Sequence, residues 1–352
     1  MLKFIIKRIG SGLLVIWGIT TLLFVIFNLL GSPAETMTDE NTDAATRLAI
    51  EKAYHLDRPL ALQYLYYLND LSPIGMLDGA DQESAGISHA RMFGLGGSKY
   101  LAIKMPWMRR SFQSNRKVTA MLSEKLPGTA ILAMAAMAFA IALGIPLGVI
   151  SALKKGKWQD RLISFLTLLG ISAPSFFMAV LIIRIFAVDL GAISGLHVSG
   201  YFFEENIFDD GYQIQWSNLI LPALALGLRP LSIITQLTRA SLHDVLGADY
   251  IRTARAKGLK ESVVLMQHAL RNALNPVLTS ISGWFASLLA GAFFIETIFD
   301  WQGLGKLTID ALGAKDYPVI LGATILIGII FVVINILVDI LYTLLDPRVK
   351  VV

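Results

Sequence analysis

The chain has 352 residues, 55% hydrophobic and only 16% charged, with a mean hydropathy of +0.62. A soluble chain would carry about 25% charged residues, so most of this one is expected in lipid. The absence of cysteine excludes a disulfide framework, a thiol nucleophile and a thiolate metal site, and a net charge of +4 is too modest to point to nucleic acid.

Residues 9–30 follow Lys3, Lys7 and Arg8 and contain no charged side chain. About 20 apolar residues span a bilayer. A cleaved signal peptide would also start basic, but its apolar core usually runs about 7–15 residues, so a retained first span is expected. Residues 31–118 form a long polar region. Within it, 44–54 reads as helical, Asp57-Arg58-Pro59 breaks the pattern, and 60–68 resumes it with Tyr64, Tyr66 and Tyr67. Such an aromatic cluster suits a membrane interface. Residues 72–99 are rich in Gly, Ser and Asp and read as a loop.

The next uncharged run, 126–153, contains Pro127 and Pro146 and is followed by Lys154, Lys155, Lys157 and Arg161. Residues 162–183 form a third run, with Pro174 inside it. On a continuous helix begun at Leu162, Arg184 would lie about 33 Å along the axis, near the far interface, where it can snorkel. The aqueous segment 185–216 carries Asp189, Glu204, Glu205, Asp209 and Asp210 and no Lys or Arg. A fourth span is expected over 218–238, a fifth over 277–295 and a sixth over 319–345, with a short connection from Asp300 to Asp316. Lys and Arg gather in one set of loops: at 3–8, at 154–161, between Arg239 and Arg271, and at Arg348 and Lys350. The opposite short loops hold none (185–216) or two, Lys306 and Lys315. By the positive-inside rule both termini and the 241–276 loop face the cytoplasm. The ten basic residues of 31–118 count little, because long segments escape the rule.

Residues 241–276 form the long polar interruption of the second half. Asp249 is expected as an N-cap. Gly258 stands where a helix end needs positive φ, and Lys257 stands where the helix dipole favours a cation. About eight residues between these caps make a helix of roughly 12 Å, too short to stand alone. Its small residues Ala254 and Ala256 would let a partner surface come close, so a docking element is expected.

Arg252-Thr253-Ala254-Arg255-Ala256-Lys257-Gly258 resembles the coupling-loop motif of bacterial ABC importer permeases, in its peptide-branch variant. Arg252 stands where the general motif has Glu, and His268 and Arg271 replace its Ile and Pro. Several further stretches also resemble the peptide branch, first-permease type. They are His268-Ala269-Leu270-Arg271-Asn272-Ala273-Leu274, Glu296-Thr297, Gly303-Leu304-Gly305, Asp316-Tyr317-Pro318 and Leu345-Asp346-Pro347-Arg348. The resemblance covers 118–350 and the first 30 residues. The chain departs from it where about thirty residues, within 72–104, stand inserted before Arg110-Ser111-Phe112.

The resemblance implies an all-α transmembrane fold: a six-helix type-1 ABC importer permease with a MetI-like core. Its parts would be a cytoplasmic N-terminus and first helix (1–30), an extracytoplasmic region (31–117), the type-1 domain (118–345) and a cytoplasmic tail (346–352). It implies a multi-pass inner-membrane subunit that imports dipeptides or oligopeptides and forms half of the pathway. The partners implied are a second homologous permease, two ATPase subunits that hold ATP and Mg, and an extracytoplasmic substrate-binding protein. The expected ATPase-coupling residues are Tyr250, Arg252, Thr253, Ala254, Arg255, Ala256, Lys257, Gly258 and Leu259. Nickel, glutathione or another small solute is the alternative cargo for the same machinery. A secondary transporter or membrane-embedded enzyme is the alternative from another class.

Other chemistry is thin. Gly305-Lys306 fails as a phosphate loop, because Asp300 replaces its first Gly and Leu307 its Ser/Thr. Gly94-Leu95-Gly96-Gly97 has no expected flanking strand or helix. No catalytic group, metal site or cofactor is therefore expected in this chain. His55, His89, His197, His243 and His268 show no i,i+4 pairing. His243-Asp244 near Ser241 is no triad, since sequence neighbours seldom converge that way. The charges inside spans carry more weight. Arg229 at mid-helix would cost about 2.5–3.5 kcal/mol to insert, and Pro230 beside it frees a backbone carbonyl. Arg229, Glu296 and Asp339 are the candidate pore or intramembrane polar residues. For Asp339 the structural reading leads.

Overall fold

The computed structural model describes residues 2–29, 57–78, 89–96, 99–198, 202–205 and 212–345. The helix expected over 44–54 and the tail 346–352 lie outside them. The six expected spans fall on Leu2–Leu29, Val118–Leu153, the pair Trp158–Ser172 and Ser175–Asp189, Trp216–Leu246, Arg271–Gly291 and Tyr317–Leu345. Among the described residues, four of these are long and apolar enough to cross a membrane by themselves: Ile6–Leu29, Val118–Leu153, Trp216–Leu246 and Tyr317–Ile340.

The third element departs from the expected straight span. It bends by 114° between Ser172 and Ser175. Pro174 lacks an N–H and forces its predecessor out of the helical region, and Ala173 is extended at φ −75°, ψ 135°. Arg184 therefore does not lie 33 Å along one axis; it pairs with Asp189 at 2.9 Å. The fifth element also differs. Arg271–Gly291 is helical but falls outside the four apolar spans, because Asn272, Asn275, Thr279, Ser280, Ser282 and Ser287 interrupt its apolar run. It packs against Trp216–Leu246 and buries Ala273, Val277, Ala286 and Leu288.

The chain divides into two compact units, Met1–Ile9 with Lys125–Ile309 and Ile329–Val352, and Gly10–Glu124 with Asp310–Gly328. In the first, the core is built where small residues let helices close. Ala133, Ala136 and Ala140 are fully buried on the Val118–Leu153 helix. Gly144 and Gly148 continue their stripe. A Cβ at Gly148 would meet Thr238 Cβ at 2.5 Å, and one at Gly227 would meet the Ala136 carbonyl oxygen at 2.7 Å. Such small-xxx-small spacing is how apolar helices approach without a hydrophobic drive between them.

In the second unit, the segment expected as a loop over 72–99 contains strands. β1 (Ile74–Asp78), β2 (His89–Gly96) and β3 (Lys99–Lys104) form an antiparallel sheet in the order β1-β3-β2. β3 turns Tyr100, Ala102 and Lys104 inward, and Leu77 joins Tyr100 and Ala102 in a small core. Lys104 is tolerated there because its ammonium donates to the Asp70 carbonyl at 2.8 Å. Arg110-Ser111-Phe112 and Asp316-Tyr317-Pro318 meet in the same unit. The Asp316 carboxylate accepts from the Ser111 hydroxyl at 2.5 Å and the Phe112 N–H at 3.0 Å.

Candidate functional site

The long polar interruption is mostly helix. Trp216–Leu246 runs through its start, Asp249–Ala256 follows, and a helix resumes at Glu261. Asp249 is not the N-cap. Ala248 takes that place at φ −73°, ψ 148°, without a side-chain cap, and Asp249 is the first helical residue. Its carboxylate still serves the helix dipole from the first turn. Gly258 has the positive φ its position demands, +77°.

Burial divides this short helix into two faces. Ile251 and Ala254 are buried with Ala152, Leu242, Val264, Ala269 and Ala273. Ala254 is 7% exposed. It is small because its own chain comes close, so it is not available to a partner as expected. Asp249, Arg252, Thr253 and Ala256 are exposed at the i, i+3, i+4, i+7 spacing of one ridge, and Tyr250, Lys257, Gly258 and Leu259 are exposed around it. Two polar ties fix the ridge from behind. Arg255 donates to the Glu261 carboxylate at 2.6 and 3.1 Å. Asn272 donates to the Tyr250 hydroxyl at 3.0 Å.

A clamp that sequence reasoning missed lies nearby. Asp160 is buried and accepts from four donors: Arg239 Nε at 2.7 Å, an Arg239 terminal N–H at 3.1 Å, the Ser151 hydroxyl at 2.6 Å and the Gly156 N–H at 2.8 Å. The 154–157 turn is thereby tied to the Trp216–Leu246 helix, two turns before its end. Nothing local in the sequence marks Asp160, since Arg239 is 79 positions away.

The three candidate intramembrane charges separate. Arg229 is exposed on the Trp216–Leu246 helix. Asp339 pairs with Arg8 at 3.0 Å. Glu296 is fully buried and committed to three donors, so it belongs to the fold and lines no surface. Its carboxylate accepts from the Thr129 hydroxyl at 2.6 Å and from the N–H groups of Gly305 and Lys306 at 2.7 and 3.0 Å. It thus caps the Leu304–Gly313 helix. Thr129 in turn accepts the Leu304 N–H at 2.8 Å. Gly303 is needed beside it, because a Cβ there would sit 2.4 Å from the carboxylate. Glu296-Thr297 and Gly303-Leu304-Gly305, noted apart in the sequence, are one structure. One further feature escaped the sequence reading. Asn272, Asn275, Thr279 and Ser287 lie exposed along one face of Arg271–Gly291.

Among the described residues, no group of His, Asp or Glu gathers to hold a metal. Residues 144–351 match the family described as binding-protein-dependent transport system inner membrane component, and 1–133 match the N-terminal part of such membrane components. The chain is 36% identical to the dipeptide transport system permease protein DppB of Bacillus subtilis (strain 168), over 99% of this chain and 98% of that protein. It is 35% identical to the di/tripeptide transport system permease protein DppB of Pseudomonas aeruginosa (strain UCBPP-PA14), over 99% of each. Among solved structures it resembles the MetNI methionine ABC transporter in an inward-facing conformation, with a TM-score of 0.50 at 16% identity over 65% of this chain and 97% of that one. That likeness supports the type-1 permease fold.

Proposed function

Because the chain belongs to the family of binding-protein-dependent transport system inner membrane components, we propose that it is one of two permease subunits of an ATP-driven importer whose cargo is dipeptides or other short peptides. The peptide cargo rests on the names of its relatives. The ATPase subunits hold ATP and Mg, an extracytoplasmic binding protein delivers the cargo, and a second, homologous permease completes the pathway. Both termini and the Asp249–Ala256 helix face the cytoplasm, in keeping with the basic loops. The exposed uncharged stripe on Arg271–Gly291 suits a pathway for peptides, since its side chains can exchange hydrogen bonds with amide groups without binding them too tightly to leave.

The observation that carries this reading is the two-faced short helix. Ile251 and Ala254 rivet it to the ends of the long helices, while Asp249, Arg252, Thr253 and Ala256 project as a free ridge. An isolated helix of eight residues is unstable in water, so one that is locked from behind and bare in front is built to be gripped. Gripped by an ATPase subunit, it would move the attached helices as bodies and alternate the access of the pathway.

The test uses Ala256→Trp and Gly258→Val. Both should leave membrane insertion intact, abolish transport, and release the ATPase or uncouple its substrate-stimulated hydrolysis. Normal co-purification and normal stimulated hydrolysis in both variants would remove this helix as the coupling element.

A further inference from the structure

We propose that an aromatic pocket in the second compact unit holds one acyl chain of a bilayer lipid, with an ester or phosphate oxygen of that lipid taking the hydrogen bond of the Tyr67 hydroxyl. The pocket is partly open and is lined chiefly by Phe24, Phe27, Tyr67, Trp107, Arg109 and Tyr317.

Its place in the fold points to lipid. Phe24 and Phe27 occupy the last turns of the apolar segment Ile6–Leu29, and Tyr317 opens the apolar segment Tyr317–Ile340. The Phe27 and Tyr317 rings meet edge-on at 4.8 Å. Two spans therefore end together at the pocket, at the level where Tyr and Trp belts form. Leu13, Leu14, Trp17 and Leu22 leave the adjoining length of the first helix exposed, so hydrocarbon reaches the pocket without crossing water.

The polar part of the pocket is unfinished in a way an amphiphile would complete. Tyr67 is 7% exposed, and its hydroxyl has no hydrogen-bond partner among the described residues. A buried tyrosine hydroxyl usually finds one; that of Tyr64, three residues earlier, meets Thr21 at 2.6 Å. Burial pushes the Tyr67 phenol up, so it remains a donor at neutral pH. Arg109 lies 6.0 Å from the centroid of the Tyr67 ring and 3.3 Å from the Asp70 carboxylate. Its backbone is in the left-handed region at φ 64°, which a non-glycine residue keeps only where its surroundings require it. Lys104 donates to the backbone carbonyl of the same Asp70.

The experiment places the full-length permease, with its partner subunits, in nanodiscs containing phosphatidylglycerol with a photoactivatable acyl chain. Cross-linked peptides are then mapped by mass spectrometry. Adducts should concentrate on 24–28, 63–71, 107–112 and 317–325. Tyr67→Phe, which keeps the ring, should lower them by about two- to tenfold, the worth of one hydrogen bond. Leu321→Trp, which fills the cavity, should lower them by about tenfold or more, while adducts on the exposed face of Trp158–Ser172 stay constant. Even labelling of all apolar faces, or no change in Tyr67→Phe, would overturn the proposal. So would displacement by excess short hydrophobic peptide, which would make the pocket a cargo site, or by inorganic phosphate alone, which would make it an anion site.

Discussion

The Glu296 cap makes a prediction that depends on two residues at once. Glu296→Ala leaves the Thr129 hydroxyl and the Gly305 and Lys306 N–H groups without their acceptor. Hydrogen bonds to a charged group contribute about 1.5–3 kcal/mol each, and the low end for all three gives a loss of about 4–5 kcal/mol. Gly303→Ala should cost about 3 kcal/mol by a different route. The three atoms nearest its new Cβ, at 2.4–2.5 Å, are all of the Glu296 carboxyl group, which must leave its donors to make room. In the double variant that clash no longer exists. Gly303→Ala added to Glu296→Ala should therefore cost less than about 1 kcal/mol, a coupling of about 2–3 kcal/mol between the sites. Unfolding of the purified permease in mixed micelles, read from tryptophan fluorescence, measures all four corners; Trp301, beside the cap, is buried. Costs that simply add would refute the reasoning, because Gly303 would then be small for some reason other than the carboxylate.

The buried face of the Asp249–Ala256 helix predicts that Ala254→Trp fails as a fold rather than as a contact: overpacking should cost about 1–3 kcal/mol and lower the melting temperature, whereas Ala256→Trp should leave it unchanged. Asp160→Asn should destabilise by about 3 kcal/mol, because the Arg239 guanidinium loses its bidentate acceptor; equal melting of variant and parent would show that the clamp contributes little. Arg255 holds the Glu261 carboxyl below the usual carboxylate range through its hydrogen bonds. The tie is therefore fully present above the ordinary value of 4.5 and is lost as pH falls through the lowered one; hydrogen exchange of 249–261 in the parent and in Glu261→Gln should differ at pH 7 and converge at low pH. Cysteines at Phe93 and Leu259, exposed positions in a chain without native cysteine, should label from outside and from the cytoplasm respectively; the reverse pattern would invert the proposed topology.

What could be read from sequence follows the range of the forces involved. The helices were legible because lipid demands long apolar runs, and Gly258 because positive φ is a local requirement. The bend at Pro174 was marked by its residue, yet a proline inside an apolar run also fits a continuous helix. Val118–Leu153 contains both Pro127 and Pro146, so the residue alone does not decide. The sheet was hidden because Lys104 occupies an inward position in β3, and its backbone partner, Asp70, comes from the Leu60–Leu71 helix. The Glu296 cap was hidden by distance, since Thr129 stands 167 positions away. A carboxylate near a span reads as a pathway charge until the donors that bury it are known.

The short helix Asp249–Ala256 was legible in the chain, but Ala254, expected to meet a partner surface, is buried against its own chain, and that changes the mechanical reading. If Ala254 touched the partner, the short helix would hang on flexible turns, and a push could be absorbed by their bending. With Ile251 and Ala254 packed against Ala152, Leu242 and Val264, the ridge shares one core with the ends of three helices. Arg239 and Asp160 then fasten the 154–157 turn to the Trp216–Leu246 helix. Gly258 supplies the reversal that sends the chain into the next helix, and Arg255 spans it to reach Glu261. A force on Arg252 or Ala256 has no soft turn to dissipate in. It must either displace the helix ends together or break a packed core, and packed cores switch between discrete arrangements more readily than they deform.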